Sequence, residues 1–279
     1  MEPQSLFLAF LQDKWNQCQD RYMITHTSFL DLAQQSAAAS FFKGLLGKST
    51  LSGPGGLPFW PAKGGPGICF YGGYPQSERN LCLFFPDYLP AESPQELLSH
   101  LQSQPEDDPI ALLRLTHSKG QSLSHRDYLG SLLGLGIKRE TLGDISVRED
   151  GGDVLILREL SDFLLSSYHK AGRTSLKADL LSPEDFLPPQ IQTKRFRDTV
   201  ASLRLDSVIA SAFQMSRAKA SEGIRSGLVY VDSLQTEKHD KPVSEGAKLV
   251  FRGKGKAVLA KIEGTTKKDR ILITICRYL

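Results

Sequence analysis

Apolar and polar positions follow three different rhythms along the chain. Over residues 3–19 the apolar side chains Leu6, Phe7, Phe10, Leu11, Trp15 and Cys18 recur at helical spacing, which predicts an amphipathic helix. A second helix is predicted over 28–46. Residues 53–67 are rich in glycine and proline and read as a loop. Ile68-Cys69-Phe70-Tyr71 and Leu81-Cys82-Leu83-Phe84-Phe85 are uninterrupted apolar runs, the pattern of buried strands, set about a turn at Gly72-Gly73.

The second rhythm is an alternation. A strand over 110–115 leads to a helix capped by Ser124 and running through Leu135. Strands over 144–148 and 154–158 pair across Asp150-Gly151, a helix covers 160–168, and a last strand covers 176–181. The order βαββαβ is that of a ferredoxin-like plait. RNA-recognition motifs use the same plait, but their sheet offers aromatic side chains for base stacking, and Val154-Leu155-Ile156-Leu157 offers none. Phe59, Trp60, Tyr71 and Tyr74 stand beside apolar strands and are expected mostly in the core.

The third rhythm is a pair of short helices followed by strands. Leu205, Val208, Ile209, Ala212 and Phe213 recur at helical spacing after Arg204. The next helix runs from Ser216, a residue type that caps helix starts, to Gly227, which suits the left-handed position past a helix end. Strands are predicted over 228–231, 247–252 and 256–262, the last two joined by Gly253-Lys254-Gly255. A final strand over 270–278 puts Ile271, Ile273 and Ile275 on one face and Leu272, Thr274 and Cys276 on the other. The whole predicts an α+β protein. Residues 1–104 form a helical and β-hairpin region, 105–189 a ferredoxin-like, RRM-like plait, and 190–279 a small domain of helices and sheet.

Charge changes the picture. Residues 190–279 hold 18 Lys and Arg against 9 Asp and Glu, whereas 1–189 hold 16 against 22, so a chain total of +3 hides a polarised molecule. A basic end of this kind points to a polyanionic partner. Its cations are spread over two short helices and a hairpin rather than along one amphipathic helix, which favours nucleic acid over a membrane surface. Arg217 and Lys219 fall in the first turn of a predicted helix, where the macrodipole disfavours each by about 0.3–1 kcal/mol. A bound phosphate reverses that penalty, because free backbone N–H groups and the dipole attract an anion there. Arg252, Lys254 and Lys256 project from a hairpin whose glycines let a backbone come close. His125, Arg126, Lys138 and Arg139 flank the first helix of the plait and are a secondary candidate RNA contact.

Residues 203–252 resemble the S4 RNA-binding domain and its αL motif, through Arg204-Leu205-Asp206, Ser216-Arg217 and Gly227-Leu228-Val229-Tyr230-Val231. Asp232 stands where many S4 domains carry Asn, and Glu245-Gly246 where Gly-Asp is usual, so turn geometry is the point on which this chain departs. The resemblance implies RNA contacts at Arg204, Ser216, Arg217, Lys219 and Arg225, helped by Arg252, Lys254 and Lys256. Three further segments extend the likeness: Phe70-Tyr71-Gly72-Gly73-Tyr74-Pro75, His125-Arg126-Asp127-Tyr128-Leu129-Gly130, and Gly134 through Arg139 with Gly143-Asp144-Ile145. With the S4-like end they resemble the YlmH family over almost the whole chain. That resemblance implies a bacterial, cytoplasmic, non-enzymatic protein. It would bind rRNA and tRNA on the large ribosomal subunit in ribosome-associated quality control, the rescue of stalled translation. Some members lie in cell-division gene neighbourhoods, which makes a cell-division-linked adaptor an alternative, with the helix from Leu6 to Trp15 as the surface for a protein partner.

Enzyme motifs are missing. Gly47-Lys48-Ser49 echoes the end of a P-loop without its first glycine or preceding strand, and neither a Gly-x-Ser-x-Gly elbow nor a His-Glu-x-x-His pair occurs. The six histidines are isolated and the four cysteines scattered, so no catalytic residue, metal site or cofactor is expected. S4 domains also accompany RNA-modifying enzymes, which is the rival reading, but each would need its own catalytic block. No 18-residue apolar run and no cleavable leader is seen, which predicts neither a membrane span nor export.

Overall fold

The computed structural model describes residues 3–49, 51–89, 91–118, 120–189, 192–266 and 269–279. The chain divides into two compact units, residues 1–189 and 190–279. Among the described residues no helix is long and apolar enough to cross a membrane.

In the first unit, α1 (Pro3–Arg21) buries Leu11 and Cys18, and the Trp15 indole N–H donates to the Pro66 carbonyl at 3.1 Å. Leu6 and Phe10 remain 54% and 40% exposed, so the predicted apolar face is seated only along its second half. The short strand β1 (Thr25–His26) was not predicted; Thr25 ties it to α1 through a 2.7 Å bond to the Lys14 carbonyl. α2 (Leu32–Leu46) starts later than the predicted 28, at a capping box between Asp31 and Gln34. The reason is that Phe29 and Leu30 are drawn into the core, their amides donating to Glu140 and Asn80 carbonyls.

The predicted loop over 53–67 contains β3 (Pro58–Phe59), which pairs in a small hairpin with β2 (Leu51–Ser52) just before it. β4 (Gly67–Tyr71) and β5 (Leu81–Phe85) pair antiparallel, with β1 on the free edge of β5. Every residue of β4 and β5 is buried, which is why these runs show no polar alternation. The helix α3 (Pro94–Ser103) was missed by the sequence reading. Its signal is Ser93-Pro94 with Glu96, an N-cap followed by proline and an acid in the first turn.

A second sheet is built from β6 (Ile110–Thr116), β7 (Leu142–Arg148), β8 (Gly151–Leu157) and β11 (Lys177–Leu181), with α4 (His125–Gly134) and α5 (Ser161–Ser167) between them. A two-stranded hairpin, β9 (Lys170–Ala171) and β10 (Thr174–Ser175), precedes β11. The sheet is antiparallel throughout, in the order β11-β6-β8-β7. β8 begins at Gly151 rather than at 154, and the turn falls on Glu149-Asp150 rather than Asp150-Gly151, because Gly151 already pairs with Arg148 and Thr116.

Both faces of this sheet are covered. Leu113, Leu115, Val154 and Ile156 pack with Tyr128 and Leu132 of α4 and Leu164 of α5. Ile110, Leu112, Leu155 and Leu157 point the other way, into a core shared with Phe29, Tyr71, Phe85 and Leu97. Residues before and after 104 therefore share one hydrophobic core, and 1–189 is a single compact unit.

The second unit opens with an unpredicted strand, β12 (Thr193–Val200), paired along its length with β17 (Ile271–Tyr278). Between them lie α6 (Leu205–Ala212), α7 (Arg217–Arg225), β13 (Val229–Val231), β14 (Leu234–Gln235), β15 (Lys248–Phe251) and β16 (Gly255–Thr265). The sheet runs β12-β17-β16-β15-β13-β14. α6 and α7 cover one face, packing Leu205, Val208, Ile209 and Ile224 on Leu249, Leu259, Ile273 and Ile275. Each such buried aliphatic side chain contributes about 1.5–3 kcal/mol. Gly223 lets α7 sit directly on β15: a Cβ there would come within 2.3 Å of the Phe251 ring.

Candidate nucleic-acid interface

The basic residues of the second unit are positioned by α6 and α7. α6 starts at Arg204, whose backbone is extended and whose side chain is free of capping. α7 starts at Ser216, whose hydroxyl accepts from the Lys219 amide at 3.3 Å, and ends before Gly227, left-handed at φ +68°. The predicted caps are in place.

Asp206, in the first turn of α6, joins the two helix starts. The residue is only 3% exposed, and its carboxylate accepts from Arg217 at 2.7 Å and from Arg204 Nε and Nη2 at 3.3 Å each. It also accepts from the Ser207 amide at 2.8 Å. Burial alone pushes this carboxyl up, but hydrogen bonds from Arg204 and Arg217 outweigh it and hold it below the ordinary carboxylate range. The two arginine side chains stay 39% and 54% exposed. Arg204 and Arg217 are thus brought together, each with donors left over for solvent or a ligand.

A loop that the sequence reading passed over is laid against this pair. Leu205 and Asp206 amides donate to the Lys241 and His239 carbonyls at 2.8 and 3.0 Å, and Val243 N donates to the Leu203 carbonyl at 2.8 Å. Residues 236–243 therefore run beside Arg204, bringing exposed Lys238 and His239 and half-buried Lys241 to the same end of the unit. The signal available in the sequence was Lys238-His239-Asp240-Lys241, a cation-rich run between two strands.

The remaining candidates spread from there. Lys219 is exposed but lies two residues from Arg217, hence on the opposite flank of α7. Arg225 is exposed in the last turn, eight residues on from Arg217 and about 80° further round the helix. The hairpin tip lies by that end of the helix, since Arg252 N donates to the Leu228 carbonyl at 2.9 Å. Arg252 and Lys254 are exposed, Lys256 half-buried, and Gly253 and Gly255 have φ of +81° and +105°. Arg277, absent from the sequence reading, donates to the Lys254 carbonyl at 3.4 Å and stacks over the Phe213 ring at 5.6 Å.

The two positions at which the sequence differs from the S4-like pattern both lie beside left-handed backbone. Asp232 and Ser233 are left-handed at φ +51° and +65°, and the Asp232 carboxylate accepts from the Lys248 amide at 2.9 Å. Glu245 accepts from the Ile262 amide at 2.7 Å, and Gly246 is left-handed at φ +84°.

In the first unit the secondary candidates are not one cluster. His125 and Arg126 open α4 while Lys138 and Arg139 follow its end, about 15 Å apart for a ten-residue helix. Arg139 is half-buried and donates to the Leu142 and Gly143 carbonyls at 2.6 and 3.3 Å, a structural role. Asp127 forms a capping box with Ser124. Asp144 accepts from Tyr74 and from the Glu78 and Arg79 amides at 2.8, 2.7 and 3.3 Å, holding residues 74–79 against β7. What gathers near the start of α4 is the β9–β10 hairpin with exposed Lys170 and Arg173, tied to Gln121 by Thr174 at 3.1 Å.

The family model described as "Putative RNA-binding domain in YlmH" matches residues 104–184, the span of β6 to β11. The chain is also 34% identical over 211 residues to "Ribosome-associated protein quality control protein P2" of Bacillus subtilis (strain 168), covering 76% of this chain and 78% of that one. The chain belongs to the YlmH family. The solved structure of "Cell division protein ylmH from Streptococcus pneumoniae" is similar at a TM-score of 0.46 and 18% identity, over 67% of this chain and 96% of that chain. Within this YlmH-family chain, the matched segment keeps most of its arginines on internal partners: Arg114 and Arg148 on Asp153, Arg139 and Arg158 on backbone carbonyls.

Proposed function

We propose that this YlmH-family chain is a non-enzymatic RNA-binding protein of the cytoplasm. It holds rRNA and tRNA on the large ribosomal subunit when translation stalls. The observation that carries this reading is the pairing of Arg204 and Arg217 on one buried carboxylate with both guanidinium groups still reaching solvent. The excess of cations over residues 190–279 supports it, as do the names of the Bacillus subtilis relative and of the family model.

In this reading residues 190–279 are an S4 domain with α6 and α7 as its αL motif. Residues 105–189 are a ferredoxin-like plait, and 1–104 seal one face of its sheet. A sealed sheet has no face on which bases stack, so the grip is on the sugar-phosphate backbone. Arg204, Ser216, Arg217, Lys219, Arg225, Arg252, Lys254 and Lys256 supply it, with His125, Arg126 and Lys138 as secondary contacts.

Electrostatic binding of this kind has a measurable signature. With about five phosphate contacts, log affinity for rRNA falls with log salt at a slope of roughly −3.5 to −4.5. A flat response removes the backbone-grip reading. Crosslinking the tagged protein in cells and sequencing the bound RNA tests the partner; enrichment of large-subunit rRNA with tRNA is expected. A second reading, a protein adaptor, is favoured by exposed Leu6 and Phe10 on α1. Partners that survive nuclease treatment in a pull-down would select it.

A further inference from the structure

We propose that Asp206 is a positioning residue: it holds Arg204 and Arg217 as a fixed pair of guanidinium groups aimed at the phosphodiester backbone of RNA. This rests on the RNA-binding reading above and assigns a role to a residue that by charge alone opposes binding.

Asp206 is 3% exposed, so it is no competing surface anion for a cationic ligand, yet it touches both arginines directly at 2.7–3.3 Å. Arg204 lies just before α6 and Arg217 opens α7, so no single helix fixes their spacing. The carboxylate does. It engages Nε and Nη2 of Arg204 and Nη2 of Arg217, leaving the other N–H groups of each fork unclaimed by it. Two long side chains that would otherwise sample many rotamers are held in one arrangement before the ligand arrives, which lowers the ordering cost of binding. The loop over 236–243 fixes Asp206 in turn, its His239 carbonyl accepting from the Asp206 amide at 3.0 Å.

Simple electrostatics and positioning predict opposite signs for one substitution. Asp206→Asn adds a net positive charge, so a charge-only surface binds RNA more tightly. If Asp206 positions the pair, the full-length Asp206→Asn protein binds purified rRNA about tenfold more weakly, and its log–log salt slope is shallower by about one phosphate contact. Affinity equal to or tighter than that of the unsubstituted protein overturns the proposal.

The double variant Arg204→Lys with Arg217→Lys gives an answer even if Asp206→Asn fails to fold. It keeps the charge and loses the planar forks. Positioning predicts a loss of about tenfold at unchanged net charge, and unchanged affinity overturns it. Arg217→Glu separates this inference from the reading beneath it. If Arg217→Glu leaves rRNA affinity untouched, the RNA surface itself is misplaced. If Arg217→Glu weakens binding while Asp206→Asn strengthens it, only the positioning role falls.

Discussion

Arg114 and Asp153 face each other in register across β6 and β8 and form a two-bonded ion pair at 2.9 and 2.7 Å. Asp153 is fully buried and also takes a bond from Arg148, while Arg114 and Arg148 keep 24% and 16% of their side chains in solvent. Burial raises this carboxyl, but Arg114, the Leu187 amide and Arg148 outweigh it and hold it below the ordinary range. Its stabilisation is therefore present at neutral pH and lost as pH falls through that lowered value.

Removing the carboxylate leaves two guanidinium groups without their shared partner at the edge of the core. Asp153→Ala is expected to destabilise the first unit by about 3 kcal/mol, the low end for a broken buried pair because both arginines reach water. Urea unfolding measures this directly, and a loss below about 1 kcal/mol would show that solvent replaces the pair.

Asp108 behaves in the opposite sense. Burial pushes it up to about 6, partly offset by the Ile110 amide, the Tyr71 hydroxyl and the nearby Arg158 charge. The folded state binds this proton more tightly than the unfolded state does, so stability declines as pH rises from about 4 to about 6 and is level above. Asp108→Asn keeps an acceptor for the Tyr71 hydroxyl and removes the titration. Relative to the unsubstituted protein, it should gain about 2 kcal/mol in urea unfolding between about pH 4.5 and about pH 7.5. Parallel pH profiles for the two proteins would rule this out.

Ser233 sits in the left-handed region at φ +65°, directly after Asp232 at φ +51°, in the two-residue turn between β13 and β14. A side chain there costs about 1–2 kcal/mol that glycine does not incur. Ser233→Gly should therefore stabilise the second unit by a net of about 1 kcal/mol once the extra freedom of the unfolded chain is counted, read out as a higher unfolding temperature. A drop would mean that the Ser233 hydroxyl makes a compensating bond.

Lys238 and Lys241 ride on the loop pinned beside Arg204. Changing both to Glu is expected to weaken binding to all structured RNA by a similar factor and to flatten the salt slope by one to two contacts, about 0.9 in slope for each. An effect confined to one RNA sequence would assign these lysines to base readout instead.

Periodicity and caps determined a good deal without any tertiary information. The starts of α4 and α7 at Ser124 and Ser216, the two all-apolar strands β4 and β5, and the alternation of Ile273 and Ile275 against Cys276 follow from short-range rules of helix and strand. The pooling of positive charge after residue 190 was equally legible, since charge is counted along the chain.

Only the folded chain decided which cations stand together. Arg204 and Arg217 meet because a buried carboxylate bridges two helix starts. Residues 236–243 join them through backbone bonds that carry no side-chain signature. The sealing of both faces of the four-stranded sheet, the edge strand β12 and the separation of His125 from Lys138 are likewise tertiary facts. They depend on long-range pairing, whose partners a local pattern of apolar and polar residues does not specify.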